Sequence, residues 1–145
     1  MDGDIAPLPD LVRIRDQYGA CLIVDDAHAT GVIGDHGGGT AEYWHMPGSI
    51  DIQVGTLSKA LGAEGGYAAA SAEIISWLRN RSRPFIFSTA LSPAVTAAAG
   101  EALRLLRENR STYMGRLRAN TEYMRNRLCG SGLPLIPGET PILPI

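Results

Sequence analysis

The chain has 145 residues, a formal net charge of −2 and an apolar fraction of 45%. These values fit one soluble globular unit and exclude an intrinsically disordered chain. A mildly acidic chain with no clustered basic stripe gives no footprint for nucleic acid, and the arginines from Arg104 to Arg127 alternate with Glu101, Glu108 and Glu122 as on a solvated helix face. No membrane span is expected, because the apolar stretch Leu91–Gly100 is too short and runs into Glu101 and Arg104. No secretory leader is visible, since Asp2 and Asp4 follow Met1. Cys21 and Cys129 make no disulfide framework, so a reducing compartment, the cytoplasm, is expected.

In chain order, Met1 to Ala6 reads as an acidic turn. Pro7 to Tyr18 predicts a helix with an apolar stripe of Leu8, Leu11, Val12 and Ile14, prolines in its first turn and Gly19 as its stop. Ala20 to Val24 is a short apolar run that predicts a strand buried on both faces, as in a parallel sheet, ending at Asp25-Asp26. A glycine-rich loop follows to Gly39, then a short helix from Thr40 to His45 with Thr40 as its cap. Ile50 to Val54 predicts a second strand, leading into Gly55-Thr56-Leu57-Ser58-Lys59, and Gly66 to Ala70 a third. Ala72 to Arg79 predicts an amphipathic helix, and Phe85 to Phe87 a very short strand. From Ser92, an N-cap followed by Pro93, the pattern is helical to about Leu128, with a break near Asn109 to Ser111. The proline-rich end closes on a strand-like Pro141 to Ile145. Helices alternating with buried strands predict an α/β architecture. Both ends are expected to be cut, for Met1 opens in mid-turn and Ile145 stops inside a strand-like run.

One count carries chemical weight. Of 13 basic residues, Lys59 is the single lysine. Arginine cannot stand in for lysine where an amine must lose its proton and attack carbon. Parallel α/β sheets place ligands at the carboxyl ends of their strands. Here the first strand end supplies Asp25, Asp26 and His28, and the second supplies Thr56, Ser58 and Lys59. A pyridoxal-phosphate (PLP) site needs this set. Lys59 supplies the amine that joins the cofactor, and Asp25 a carboxylate for the pyridine nitrogen. His28 supplies a donor near the phenolic oxygen, while Thr56, Ser88 and Thr89 supply hydroxyls for the phosphate. Alone, Asp-x-x-His is more often a turn with a satisfied histidine. In this order, at strand ends and around one lysine, the set points to PLP.

The runs Met1-Asp-Gly-Asp-Ile-Ala-Pro-Leu8, Val24-Asp-Asp-Ala-His-Ala-Thr-Gly-Val-Ile-Gly34, Gly55-Thr-Leu-Ser-Lys-Ala-Leu-Gly62, Glu64-Gly-Gly-Tyr67 and Phe85-Ile-Phe-Ser-Thr-Ala-Leu-Ser-Pro93 cover nearly the whole chain. In that order they resemble the successive motifs of the α-oxoamine synthases, class II members of the fold-type I PLP aminotransferase superfamily. Within the group, Thr56 to Ala60, Ala63 to Tyr67 and Phe85 to Ala90 are most similar to the branch that condenses L-alanine with a pimeloyl thioester.

The resemblance implies part of a large PLP-binding domain over residues 1–91, mostly parallel sheet flanked by helices. A helical segment over 92–132 leads out of it, and the small C-terminal domain starts at 133–145. It implies that Lys59 carries PLP and moves protons at the substrate α-carbon, that Asp25 pairs with the ring nitrogen, that His28 contacts the phenolic oxygen and that Thr56 binds phosphate. It also implies a homodimer, in which Ser88 and Thr89 reach the neighbouring subunit's cofactor. The implied reaction is decarboxylative condensation of an amino acid, L-alanine, with an acyl thioester, on coenzyme A or a carrier protein. Glycine- or serine-using relatives are the alternative within the group.

Two departures stand out: Gly38 replaces an arginine common in the family, and Ala70 a common glycine. The family's upstream phosphate loop and stacking ring, and its C-terminal arginine for the substrate carboxylate, are not in these residues. The isolated chain is therefore expected to be inactive. A metal-dependent hydrolase using Asp25, Asp26 and His28 is the rival reading, disfavoured because His36 and His45 lack ligand spacing. A non-catalytic packing module is the other, with Trp44, Trp77, Tyr67 and Phe85 as core or interface.

Overall fold

The computed structural model describes residues 2–145. Helix α1 spans Leu8–Tyr18, with a proline in its first turn and Gly19 closing it in the left-handed conformation at φ 59°. Leu8 is fully buried, whereas Ile14, placed in the apolar stripe by its spacing, is 45% exposed. Arg15 ties the helix to the chain entering the sheet: it donates to the Ser49 carbonyl at 2.7 Å and pairs with Asp51 at 3.6 Å.

Strands β1 (Ile23–Asp25), β2 (Ile52–Thr56) and β3 (Gly66–Ala70) form one sheet in the order β1-β2-β3. β1 and β2 run parallel, with Asp25 opposite Val54, and β3 returns antiparallel, with Gly55 opposite Tyr67. The first two strands lie later than the apolar runs predict. Ala20 completes the helix end by donating to Arg15, and Leu22 donates to the Asp51 carboxylate at 2.8 Å, so the ladder opens only at Ile23. Burial on both faces is also corrected. Val24 is buried but Ile23 is 59% exposed, because the chain's own elements cover one face.

Helix α2 covers Thr40–Tyr43. Its N-cap is Gly39 and not Thr40, whose hydroxyl turns inward to Asp26 instead of closing the helix end. Helix α3 (Ala72–Arg81) starts at Ser71, whose hydroxyl accepts from the Ile74 N–H at 3.4 Å. The expected strand at Phe85–Phe87 is helical: α4 spans Arg83–Ile86. Pro84 suits a first helical turn, the Phe85 and Ile86 amides donate to Ser82, and Phe87 donates to Arg83. Strand propensity at Phe-Ile-Phe has no effect without a neighbouring strand to pair with, and Phe85 and Phe87 remain 64% and 77% exposed.

Helix α5 runs from Pro93 to Gly130, capped by Ser92, whose hydroxyl accepts from the Val95 N–H at 3.3 Å. The expected break is present at Asn109 (φ −119°, ψ 18°), where the side-chain amide donates to the Leu105 carbonyl. No strand forms over 133–145. Pro141 and Pro144 have no N–H for a ladder, and the segment is pinned by other contacts. Thr140 donates to the Gly3 carbonyl at 2.7 Å, Arg125 to the Thr140 carbonyl at 3.0 Å, and the Tyr43 hydroxyl to Glu139 at 2.6 Å. No described helix is long and apolar enough to cross a membrane.

Candidate active site

The site is built where β1 and β2 end. Parallel pairing puts Asp25 and Thr56 on the same, carboxyl, edge of the sheet, two residues apart in register. After Asp25 the chain turns at once. The Asp26 carbonyl accepts from both Ala29 and Thr30 N–H at 2.9 Å, and His28 rides on that turn. After Thr56 the chain makes a second tight loop. Leu57 donates to Gly65 and Ala63 donates back to Leu57, while Gly62, at φ 59°, donates to the Lys59 carbonyl. Lys59 sits at the head of this loop.

His28 and Lys59 line one cleft of about 560 Å³, whose other wall is the α5 surface of Leu105, Leu106 and Leu117. His28 and Asp25 line a second, smaller one of about 190 Å³. His28 therefore borders both. The Asp25 carboxylate accepts from the Ala27 N–H at 2.9 Å through one oxygen, and no described residue bonds the other. Neither the Lys59 amine nor the His28 ring is paired with a described residue. A carboxylate oxygen, an imidazole and an amine are thus free for a ligand at one sheet edge.

Asp26 contrasts with its neighbour. Its side chain is fully buried and accepts from Gln53 Nε2 at 2.6 Å, from the Thr40 N–H at 3.1 Å and from the Thr40 hydroxyl. It also lines the smaller cleft beside Asp25 and His28, and among the described residues no group of three or more His, Cys, Asp or Glu is placed to hold a metal ion.

Thr56 is less free than its sequence position implies. Its hydroxyl donates to the Gly65 carbonyl at 3.0 Å and accepts from the Ser58 N–H at 3.2 Å, with the Ser58 hydroxyl 2.8 Å away. With the Thr56 proton on Gly65, the Ser58 hydroxyl donates to Thr56. A phosphate would take Thr56 only by displacing Gly65, whereas exposed Ser58 needs only to rotate its hydroxyl. Ser88 and Thr89 lie exposed between α4 and α5 and border neither cleft.

Two supports escaped sequence reasoning. The Tyr67 hydroxyl bonds Thr30 Oγ1 at 2.8 Å, holding the His28 turn from the far side, and the Tyr67 ring fills the space beside Gly55. A Cβ at Gly55 would lie 2.3 Å from the ring. The signal available was a glycine directly before Thr56, opposite an aromatic residue across the antiparallel register. The second support is Glu42, which holds the glycine-rich loop: it accepts from the Gly38 and His36 amides at 2.7 and 3.0 Å and meets the His36 ring at 2.5 Å. Partial burial pushes the Glu42 carboxyl up, but the hydrogen bonds from Gly38 and His36 outweigh it and leave the group below the usual carboxylate range.

The family model for aminotransferase class I and II matches residues 1–145. The chain belongs to the aminotransferase class I and II family. Among curated family members it is 53% identical, over its whole length, to 8-amino-7-oxononanoate synthase 1 of Bacillus subtilis, and 48% identical to the 8-amino-7-oxononanoate synthase of Thermoanaerobacter pseudethanolicus. It spans 37% and 36% of those relatives. Its fold matches a Sphingomonas wittichii serine palmitoyltransferase with a TM-score of 0.86 at 34% identity, over 93% of this chain and 34% of that one. It matches an 8-amino-7-oxononanoate synthase from Francisella tularensis with a TM-score of 0.75 at 29% identity, over 92% of this chain and 39% of that one. A serine palmitoyltransferase variant from S. paucimobilis, TM-score 0.86 and 35% identical, over 93% of this chain and 34% of that one, was solved with a bound PLP–myriocin aldimine. The expected α/β architecture of fold-type I enzymes is therefore the one observed.

Proposed function

We propose that this chain is the cofactor-bearing part of a PLP-dependent acyltransferase of the 8-amino-7-oxononanoate synthase type. It would join L-alanine to a pimeloyl thioester with loss of carbon dioxide, a step toward biotin. The observation that carries this reading is that His28, at the carboxyl edge of the parallel β1–β2 pair, borders both the cleft lined by Lys59 and the cleft lined by Asp25. The donor set fits the cofactor: one unpaired amine, one imidazole and one free carboxylate oxygen, with hydroxyls at the next strand end. The 53% identity to a named synthase supports the substrate class.

When bound, PLP supplies a carbonyl carbon for an amine and a ring that accepts electrons from the substrate. Lys59 would hold the cofactor through its amine and, when freed, would carry the proton at the substrate α-carbon. The Asp25 carboxylate, held by its Ala27 contact, would keep a proton on the ring nitrogen. His28 would orient the ring by donating to the phenolic oxygen. Thr56 would bind phosphate by giving up its bond to Gly65, with Ser58 beside it. Ser88 and Thr89 serve the partner subunit's cofactor in a homodimer, which is supported by their exposure away from both clefts.

Residues 1–91 form part of the large domain, 92–132 the helical exit and 133–145 the start of the small domain. Two unpaired cysteines support a cytoplasmic site. A second reading, serine or glycine in place of alanine, is favoured by the higher TM-scores to serine palmitoyltransferases.

The test uses the full-length protein. After incubation with PLP and borohydride reduction, peptide mapping should find the label at Lys59, far above the N-terminal amine, and Lys59→Arg should abolish it. Equal labelling of Lys59 and the N-terminal amine would refute the assignment. Turnover with alanine, serine and glycine against pimeloyl and palmitoyl thioesters then selects the substrates.

A further inference from the structure

Asp26 is the one fully buried ionisable side chain among the described residues, and the chemistry above does not use it. Burial of a carboxyl group is costly unless its oxygens are bonded. Here they are bonded from two directions. Gln53, on β2, donates to one oxygen, and Thr40, at the start of α2, donates to both through its amide and hydroxyl. The backbone of the same residue does two further jobs. Its N–H donates to Val54 at 2.7 Å, which adds a last rung to the β1–β2 ladder beyond Asp25. Its carbonyl closes the turn that carries His28.

The glycine-rich loop is shaped around this carboxylate. Gly39 stands at φ +90°, and a Cβ there would lie 2.3 Å from Asp26 Oδ2. The loop is drawn back onto the His28 turn through Gly31 N–H to the Gly37 carbonyl at 2.8 Å and a bridge between Thr30 and Gly38.

We infer that Asp26 is a positioning residue. With its oxygens taken by Thr40 and Gln53, it fixes the directions of Asp25 and His28 on either side of it by clamping β1, β2 and the glycine-rich loop together. This rests on the PLP reading above. It predicts that loosening the clamp misplaces two groups that must face one flat ring, and that such misplacement weakens binding more than the loss of stability accounts for.

The test compares Asp26→Ala and Thr40→Val in the full-length protein with Ser92→Ala, which removes a helix cap outside the clamp. Amide exchange is read on the cofactor-free protein, and PLP affinity and the visible band of the bound cofactor on the loaded one. The expected result in both clamp variants is faster exchange at Ala29 and Thr30 with β3 amides unchanged, a PLP Kd raised roughly tenfold or more, and a shifted band. Ser92→Ala should leave all three at wild-type values. If Asp26→Ala does not fold, Thr40→Val, which deletes one donor and keeps the shape, decides alone. Wild-type exchange at Ala29 and Thr30 and wild-type Kd in the clamp variants would overturn the inference and leave the cofactor reading standing. Wild-type protein that takes up no PLP would overturn both.

Discussion

Replacing Gly55 by alanine puts one methyl group into the Tyr67 ring. The new Cβ would sit 2.3 Å from Tyr67 Cζ and 2.4 Å from its hydroxyl, so the ring must shift. Overpacking of this kind costs about 1–3 kcal/mol. Moving the ring also breaks the 2.8 Å bond from Tyr67 to Thr30, worth about 1 kcal/mol. The sum is roughly 2–4 kcal/mol, concentrated on the β2–β3 pair. Native-state hydrogen exchange of β2 amides in the full-length protein measures this local opening directly. The Tyr67→Ala background supplies the control. With the ring gone, Gly55→Ala should cost under about 1 kcal/mol, leaving a coupling energy of at least about 1 kcal/mol. A cost below about 0.5 kcal/mol for Gly55→Ala, or the same cost in both backgrounds, would refute the argument that Gly55 exists to admit Tyr67.

The remaining predictions test other parts of the chain. Glu42 has a folded-state pKa below its ordinary value, so its contribution to stability is full above the unfolded pKa and vanishes as pH falls through the folded one. The Tm difference between wild type and Glu42→Gln should be clear at pH 7 and shrink steadily below about pH 4.5; a difference that grows on acidification would contradict the hydrogen-bond account. Ser92→Ala should destabilise the start of α5 by about 1 kcal/mol, visible as faster exchange at Val95 and Thr96. Asn109→Ala removes the side-chain bond to Leu105 and should raise helicity at the α5 break; unchanged shifts around residue 109 would mean that packing, not Asn109, bends the helix. The 145-residue chain alone should show no turnover, because Ile23, Phe85 and Phe87 leave apolar surface open; measurable activity would refute this.

The sequence by itself singled out the candidate positions for chemistry. A single lysine in Gly55-Thr-Leu-Ser-Lys-Ala and an Asp25-x-x-His28 at a strand end are legible without coordinates, because reactive groups at such sites must be of one residue type and spacing. Helix ends were equally legible: Gly19, Ser92 and Pro93 act through local backbone geometry, and α1 and α5 begin and end within a few residues of where those signals put them. What only the tertiary structure decided were features that depend on distant partners. Phe85 to Phe87 carries strand-forming residues, yet a strand needs a neighbour, so Pro84 and the Ser82 carbonyl made it a helix. Asp25 and Asp26 are identical in sequence, and only the fold turned one outward with a free oxygen and surrounded the other with Thr40 and Gln53. The same holds for Thr56, whose hydroxyl is taken by Gly65 nine residues away. Local rules act through covalent neighbours and can be read along a chain. Whether a polar group is buried, bonded or free depends on which segments the fold brings against it.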